Sequence, residues 1–215
     1  ELFKKHNIII LTGGSGLYID ILCNGFDEDV PGSSPKIRKE INQLYEKYGI
    51  EVLQEKLKQL DPSFYAEVDV NNFNRLERAI EVCLLTGQKY SNIRKGHKQQ
   101  RPFNILKIGL NRDRKELFDR INLRVDLMLE SGLEKEAKNV MVYKENNALK
   151  TVGYVEIFDF LAKKISLAEA TEKIKVNTRR YAKRQIGWLS KSNEYKWFHP
   201  NQLEAIKKYI ATAIE

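Results

Sequence analysis

Between Lys173 and Asn193 stand seven basic residues and no acidic one: Lys173, Lys175, Arg179, Arg180, Lys183, Arg184 and Lys191. Lys175, Arg179 and Lys183 recur every fourth residue, which places them on one side of a helix. A solvated helix usually mixes signs and gains pairs one turn apart. This run forgoes those pairs, and its like charges repel. A polyanion would offset the repulsion, and phosphate suits arginine and lysine donors. Ile174, Thr178, Tyr181, Gln185 and Trp188 line a different face, where Asn177, Tyr181 and Gln185 add polar and stacking groups of the kind RNA meets. The plainer alternative stays open: a surface helix matched by carboxylates from elsewhere in the fold. A membrane-surface helix is disfavoured, because Thr178 and Gln185 interrupt the apolar face.

Three smaller features have suitable chemistry. The turn Gly13, Gly14, Ser15, Gly16 follows an apolar run and precedes a helical pattern. Backbone N–H groups in such a turn can hold an anion, and Ser15 adds a hydroxyl. It lacks the Gly-Lys-Ser/Thr of a Walker A loop, and a tight turn with no ligand is an equal reading. On one helix Arg120 and Arg124 share a side and suit a pyrophosphate, though Glu116 can pair with Arg120 as ordinary helix support. On another, Arg75 and Arg78 are neighbours with Glu77 and Glu81 in reach, and an exposed charged face is the default there.

Composition agrees with an acidic partner without choosing one. The 215 residues hold 37 Lys+Arg against 29 Asp+Glu, a net charge of +8. No apolar run approaches the roughly 18 residues of a membrane span. Cys23 and Cys83 stand alone and His6, His97 and His199 are scattered, so neither set suggests a metal site. Free thiols suit a reducing compartment, and a cytoplasmic protein is the working expectation.

The elements that must position these groups are mostly helices. Residues 1–6 read as the end of a helix, residues 8–11 as a buried strand, and residues 17–22 as a helix. Residues 27–35 are turn-like. Helical spacing then runs through Ile37, Ile41, Leu44 and Tyr48, and again through Val52, Leu53, Leu57 and Leu60. Asp61-Pro62 starts a third helix and residues 71–74 cap a fourth, which runs to Gly87. Residues 90–102 are polar, basic and expected to be mobile. A strand is expected at 105–110. A helix at 115–131 has Leu117, Phe118, Ile121, Val125, Met128 and Leu129 as its apolar positions. Helices follow at 133–143, 153–160 and, after a Ser166/Glu169 capping box, 167–189. A short strand at 195–199 and a helix at 201–214 close the chain.

Five segments, in order, resemble the tRNA dimethylallyltransferase (tRNA isopentenyltransferase) family. They begin at Gly13-Gly-Ser-Gly-Leu-Tyr18, Asn74-Arg-Leu-Glu-Arg-Ala-Ile-Glu-Val82, Arg120-Ile-Asn-Leu-Arg-Val-Asp-Leu-Met128, Val152-Gly-Tyr154 and Asn177-Thr-Arg-Arg-Tyr-Ala-Lys-Arg-Gln185. The resemblance implies an α/β fold with a P-loop NTPase-like core, incomplete and mostly helical in this chain. Residues 1–26 and 98–215 would belong to the core, and 27–97 to a helical insertion. It implies transfer of a dimethylallyl group from its pyrophosphate to N6 of adenosine 37 in tRNA, with the base drawn out of its stack. Ser15, where the family usually has Thr, would be the catalytic-site hydroxyl. Gly13, Gly14, Arg120 and Arg124 would bind pyrophosphate. The tRNA contacts would be Arg38, Asn74 (in place of the usual Gln), Arg75, Arg78, Leu149, Val152, Gly153, Tyr154, Thr178, Arg179, Arg180, Lys183, Arg184 and Gln185.

The family's P-loop, its catalytic aspartate and most ligands of its Mg²⁺ are expected upstream of Glu1, so the chain alone is expected to be inactive. Expected partners are the tRNA anticodon stem-loop and dimethylallyl pyrophosphate, with a monomer and no membrane contact. Two other readings compete on the residues alone: a non-catalytic RNA-binding module, and a small-molecule kinase relative built on the strand–glycine–helix unit.

Overall fold

The computed structural model describes residues 1–25, 30–94 and 99–214. The chain divides into two compact units, Asp20–Phe103 and a second made of Glu1–Ile19 with Asn104–Glu215. Helix α1, Gly16–Asn24, follows the glycine turn.

In the Asp20–Phe103 unit come α2 (Pro35–Tyr48), α3 (Glu51–Leu60), α4 (Pro62–Glu67), α5 (Phe73–Thr86) and α6 (Tyr90–Ile93). Their ends follow local chemistry. The Ser34, Asp61 and Asn72 side chains each accept an N–H of the first helical turn, with Pro at the start of α2 and α4. Gly87, at φ 67°, takes the left-handed conformation that closes α5. Ile41, Leu53, Leu57, Phe64, Leu76, Ala79 and Ile80 form the core.

Asp61 does more than cap. Its Oδ1 also accepts the Ser91 hydroxyl (2.9 Å) and its Oδ2 the Ser91 N–H (2.7 Å), so one buried carboxylate fastens α4 to α6. Burial pushes this carboxyl up, but the Ser91 and Phe64 hydrogen bonds outweigh it and hold it below the usual range. Of the segment 90–102 that the sequence marks as mobile, residues 90–93 form a helix. Residues 90–93 are helical because Asp61 captures Ser91 and the Tyr90 ring packs edge-on to Phe64. Residues 95–98 of that segment lie outside the described residues, as do positions 27, 97 and 98, which bound the expected insertion.

The other unit holds β1 (Ile108–Leu110), α7 (Arg114–Glu130), α8 (Leu133–Val140), α9 (Tyr154–Leu161), α10 (Leu167–Leu189), β2 (Lys196–Phe198) and α11 (Leu203–Ile214). β1 and β2 pair in parallel, Gly109 opposite Trp197. The core is Val125, Leu133, Ala137, Ile157, Phe158, Ala170 and Ile174, contributed by α7 to α10. The Ser166/Glu169 capping box forms as the spacing predicts: the Ser166 hydroxyl accepts the Glu169 N–H, and Glu169 accepts the Ser166 N–H.

Two strand expectations are corrected. Residues 8–11 form no strand, and Ile10 is 82% exposed. Apolar β-branched residues become a strand only beside a ladder partner, and among the described residues β1 and β2 pair only with each other. For the same reason the strand expected at 105–110 shrinks to the three residues that meet β2. The first residues form one short 3₁₀ turn, Leu2–Lys4.

Candidate nucleic-acid interface

Helix α10 carries the basic run, and most of its charge meets no acid. Lys175 is the exception. Its Nζ lies 2.7 Å from Asp126 and 3.5 Å from Glu172, and the Asp126 hydrogen bond holds its pKa above the usual lysine value. Arg179 donates from Nη1 to Asn122 Oδ1 (2.6 Å) and lies over the Phe118 ring. Arg180 reaches Asn177 Oδ1 at 3.4 Å, and Arg184 lies over the Tyr181 ring. Lys183 is exposed. Among the described residues none of these last four cations forms an ion pair. Of the matching by carboxylates that the sequence left open, the ion pairs among the described residues are thus those of Lys175. Thr178 turns inward and donates its hydroxyl to the Ile174 carbonyl (2.7 Å).

The glycine turn packs on the polar face of α10. Gln185 Nε2 donates to the Gly14 carbonyl (2.7 Å). A Cβ on Gly14 would lie 2.1 Å from that nitrogen, and a Cβ on Gly16 would lie 2.2 Å from Trp188 Cδ1. Two of the glycines are thereby explained by close approach, a role their spacing did not suggest. Gly13 faces open space. Exposed Ser15 sits between the two contacts, and its carbonyl accepts the Ile19 N–H that begins α1. The neighbours differ in stiffness, so the two glycines should differ in tolerance. Gly16→Ala meets an indole ring and is expected to cost about 1–3 kcal/mol. Gly14→Ala meets the free end of a flexible amide and should cost less. Thermal unfolding of both variants checks this, and equal melting shifts would contradict it.

On α7 the expected Glu116–Arg120 pair does not form. Glu116 instead pairs with Arg112 and with His199 Nε2 (3.0 Å). The Asn201 N–H points at His199 Nδ1 (3.2 Å), so Nδ1 accepts and Nε2–H donates to Glu116. His199 first, then Arg112, holds the Glu116 carboxyl below its usual range. Residues flanking the helix outcompete the one a turn along it. Arg120 and Arg124 are left exposed, with no ion pair among the described residues. Arg124 stands on the rim of a hollow of about 250 Å³ with Leu127, Met128, Ser131, Leu133 and Glu136.

The segment holding Leu149, Val152, Gly153 and Tyr154 makes mainly internal contacts. Leu149, Val152 and Tyr154 pack against the core of this unit. Gly153 is buried at φ 104°, a conformation that favours glycine. Its N–H donates to Glu156 Oε2 (2.8 Å), while Glu156 Oε1 accepts from Asn177 Nδ2 (2.7 Å). Glu156, which the sequence did not single out, therefore ties the start of α9 to α10. The Tyr154 hydroxyl donates to Glu136, which pushes the phenol pKa up.

In the Asp20–Phe103 unit, Arg38 and Arg78 converge on one carboxylate. Arg38 donates from Nε to Glu81 Oε1 (3.0 Å) and from Nη2 to Oε2 (3.1 Å). Arg78 Nη1 adds a bond to Oε2 (2.7 Å), and the Ser34 N–H another to Oε1 (2.7 Å). Glu81 is fully buried, and Glu77 nearly so with Asn42 bonded to it. This overturns the exposed charged face expected for these two acids: α5 turns them toward α2. Burial pushes the Glu81 carboxyl up, but the Arg38, Arg78 and Ser34 bonds hold it below the usual range. Asn74 and Arg75 are exposed on the first turns of α5.

Among the described residues no group of three or more His, Cys, Asp or Glu side chains stands together to hold a metal ion. No helix is long and apolar enough to cross a membrane.

The family model described as IPP transferase matches residues 1–192. A tRNA dimethylallyltransferase 2 of Azobacteroides pseudotrichonymphae is 48% identical over 204 residues, covering 95% of this chain and 66% of that protein. A tRNA dimethylallyltransferase 1 of Bacteroides thetaiotaomicron is 45% identical over 210 residues, covering 98% of this chain and 68% of its own length. The chain thus spans about two thirds of these curated relatives. Among solved structures, the full-length tRNA isopentenylpyrophosphate transferase of Bacillus halodurans is similar with a TM-score of 0.57 and 33% identity, over 92% of this chain and 63% of that one. A eukaryotic dimethylallyltransferase acting on tRNA is similar with a TM-score of 0.64 and 28% identity, over 82% and 46%.

Proposed function

The chain belongs to the IPP transferase family, and from that premise we propose that it holds tRNA for transfer of a dimethylallyl group to N6 of adenosine 37. The observation that carries this reading is the face of α10. Arg179, Arg180, Lys183 and Arg184 meet no carboxylate among the described residues, on a helix that also grips the glycine turn. Unneutralised cations on a folded helix favour a polyanion, and the anticodon stem-loop supplies phosphates. Ser15, between the two contacts that seat the turn on α10, presents its hydroxyl to the flipped base. Gly13 and Gly14 beside it, with Arg120 and Arg124 on α7, take the pyrophosphate of the donor, where fixed positive charge stabilises the leaving group.

On α5, Asn74 and Arg75 extend the RNA contact of the helical unit. Arg38 and Arg78 offer it only the donors that Glu81 and the Pro31 carbonyl leave over. Leu149, Val152, Gly153 and Tyr154 support α10 from beneath through Glu156 and Asn177. The P-loop-like α/β core remains part of this proposal. Among the described residues no group of acidic or histidine side chains fits a Mg²⁺ cage, and no hydrogen bond joins a carboxylate to the turn or to Gln185.

The test is transfer of labelled dimethylallyl, from its pyrophosphate with Mg²⁺, to an unmodified anticodon stem-loop by the complete gene product. Label on adenosine 37 is expected. Label elsewhere overturns the reading, and so does binding with no transfer, the mark of a non-catalytic RNA-binding module.

A further inference from the structure

We propose that the groove between the first turns of α7 and the middle of α10 is a nucleotide subsite, taking an unstacked base on the Phe118 ring and its phosphate on Arg114 and Arg179. This rests on the RNA reading above and adds a place the basic run does not reveal. The groove, about 510 Å³, is lined by Arg114, Lys115, Phe118, Asp119, Asn122 and Arg179.

Phe118 falls on the apolar spacing of α7, yet it is absent from the core to which Val125 belongs. It stays half-buried, with the Arg114 guanidinium 5.2 Å and the Arg179 guanidinium 5.7 Å from its ring centre. Two like charges converge on one ring, and neither forms an ion pair among the described residues. The ring's electron-rich face offsets only part of that repulsion. Asp119 is the one acid of the lining against three cations. An anion seated here relieves the repulsion.

Arg179 is already aimed, since its bond to Asn122 uses one of five N–H donors and leaves the rest of the fork. Phosphate matches that fork, and a planar base can stack on the Phe118 ring where a guanidinium now lies, once phosphate draws that guanidinium aside. An isoprenoid pyrophosphate brings the anion but no planar ring, and an acidic peptide segment brings neither phosphate nor base. A nucleotide of single-stranded RNA brings both. The groove opens beside the α10 run, so one RNA strand can meet both.

The test compares four variants of the full chain for stem-loop affinity across a salt series, with melting temperatures in parallel. Arg114→Ala is expected to weaken binding several-fold and to lower the slope of log K against log salt by about 0.7–0.9, the share of one phosphate. Phe118→Leu is expected to weaken binding about 5- to 150-fold with the slope unchanged, the signature of a lost stack. Phe118→Tyr should restore affinity. Lys183→Ala, on α10 outside the groove, serves as the reference and should weaken binding with a smaller slope. If Lys183→Ala weakens binding while the Arg114 and Phe118 variants do not, the groove is no RNA subsite and the RNA reading stands. If none of the four changes affinity or slope, both fall. A Phe118→Leu protein that melts lower but binds as tightly assigns the ring to packing and overturns the subsite.

Discussion

The double variant Arg38→Ala/Arg78→Ala is expected to destabilise the helical unit by about 3–5 kcal/mol, the cost of leaving a buried charge without its partners. Glu81 is fully buried, and both of its oxygens are committed to the two guanidiniums and the Ser34 N–H. Each single variant leaves one arginine in place and should cost roughly 1–2 kcal/mol. Glu81→Gln should also cost less than the double variant, because Arg38 and Arg78 are 38% and 26% exposed and can hydrate. The pH dependence separates the cases. In the native chain the Glu81 and Asp61 carboxyls lie below their usual values. The stability they contribute is complete above about pH 4, the unfolded carboxylate range, and is lost as pH falls through the lower folded values. In the double variant the buried, unpaired Glu81 carboxyl moves above its unfolded value. Stability should then fall as pH rises from about 4 toward 7, the opposite sign. Urea unfolding between pH 3 and 7 reads both effects. An unchanged midpoint throughout would mean that Glu81 holds nothing, and that both arginines are free for RNA.

That result also bears on what the sequence could reveal. Local chemistry was legible where it acts within a turn or two. Asp61-Pro62, the run 71–74 (whose Asn72 is the cap), Gly87 and the Ser166/Glu169 box mark helix ends near their observed places, because capping acts within a turn of the helix. Helical spacing likewise found Ile41, Leu53, Leu57, Val125 and Ile174, all of which are buried. Contacts that close across the fold were not legible. Arg38 and Glu81 lie 43 positions apart, and Gly14 and Gln185 lie 171 apart. No local pattern distinguishes an acid that will be buried from one that will stay wet, so Glu81 read as a surface charge and Glu156 as nothing at all. The strand at 8–11 failed for a related reason, since pairing partners decide a strand and composition does not supply them.

The candidate site divides the same way. The basic run on α10 was legible because its signal is an absence of acids within one helix. Its seating on the glycine turn was not, because Gln185 and Trp188 meet glycines for which spacing left an anion site and a ligand-free tight turn equally open. Periodicity misplaced Phe118 because it cannot tell a ring that enters the core from one that stops beneath two guanidiniums.

Replacing Arg180, Lys183 and Arg184 together by alanine should lower stem-loop affinity about 100-fold at 0.1 M salt and flatten the salt dependence by about two to three units of slope. It should not lower the melting temperature. All three side chains are exposed and, among the described residues, none is paired with an acid, so the described fold gains no ion pair from them. Their mutual repulsion disappears on truncation, and alanine favours helix, so the variant should melt at the native temperature or above it. Lys175→Ala should behave in the reverse sense. That ammonium is 15% exposed and engaged with Asp126 on α7, so its loss should loosen the α7–α10 contact and leave RNA binding near native. Filter binding over a salt series and thermal unfolding of both proteins distinguish the two roles. A triple variant that binds as the native chain does, or one that loses affinity only because it unfolds, would remove the phosphate-gripping role from α10. The contrast is stringent because all four cations stand within ten residues of one helix and differ in whether a described carboxylate reaches them.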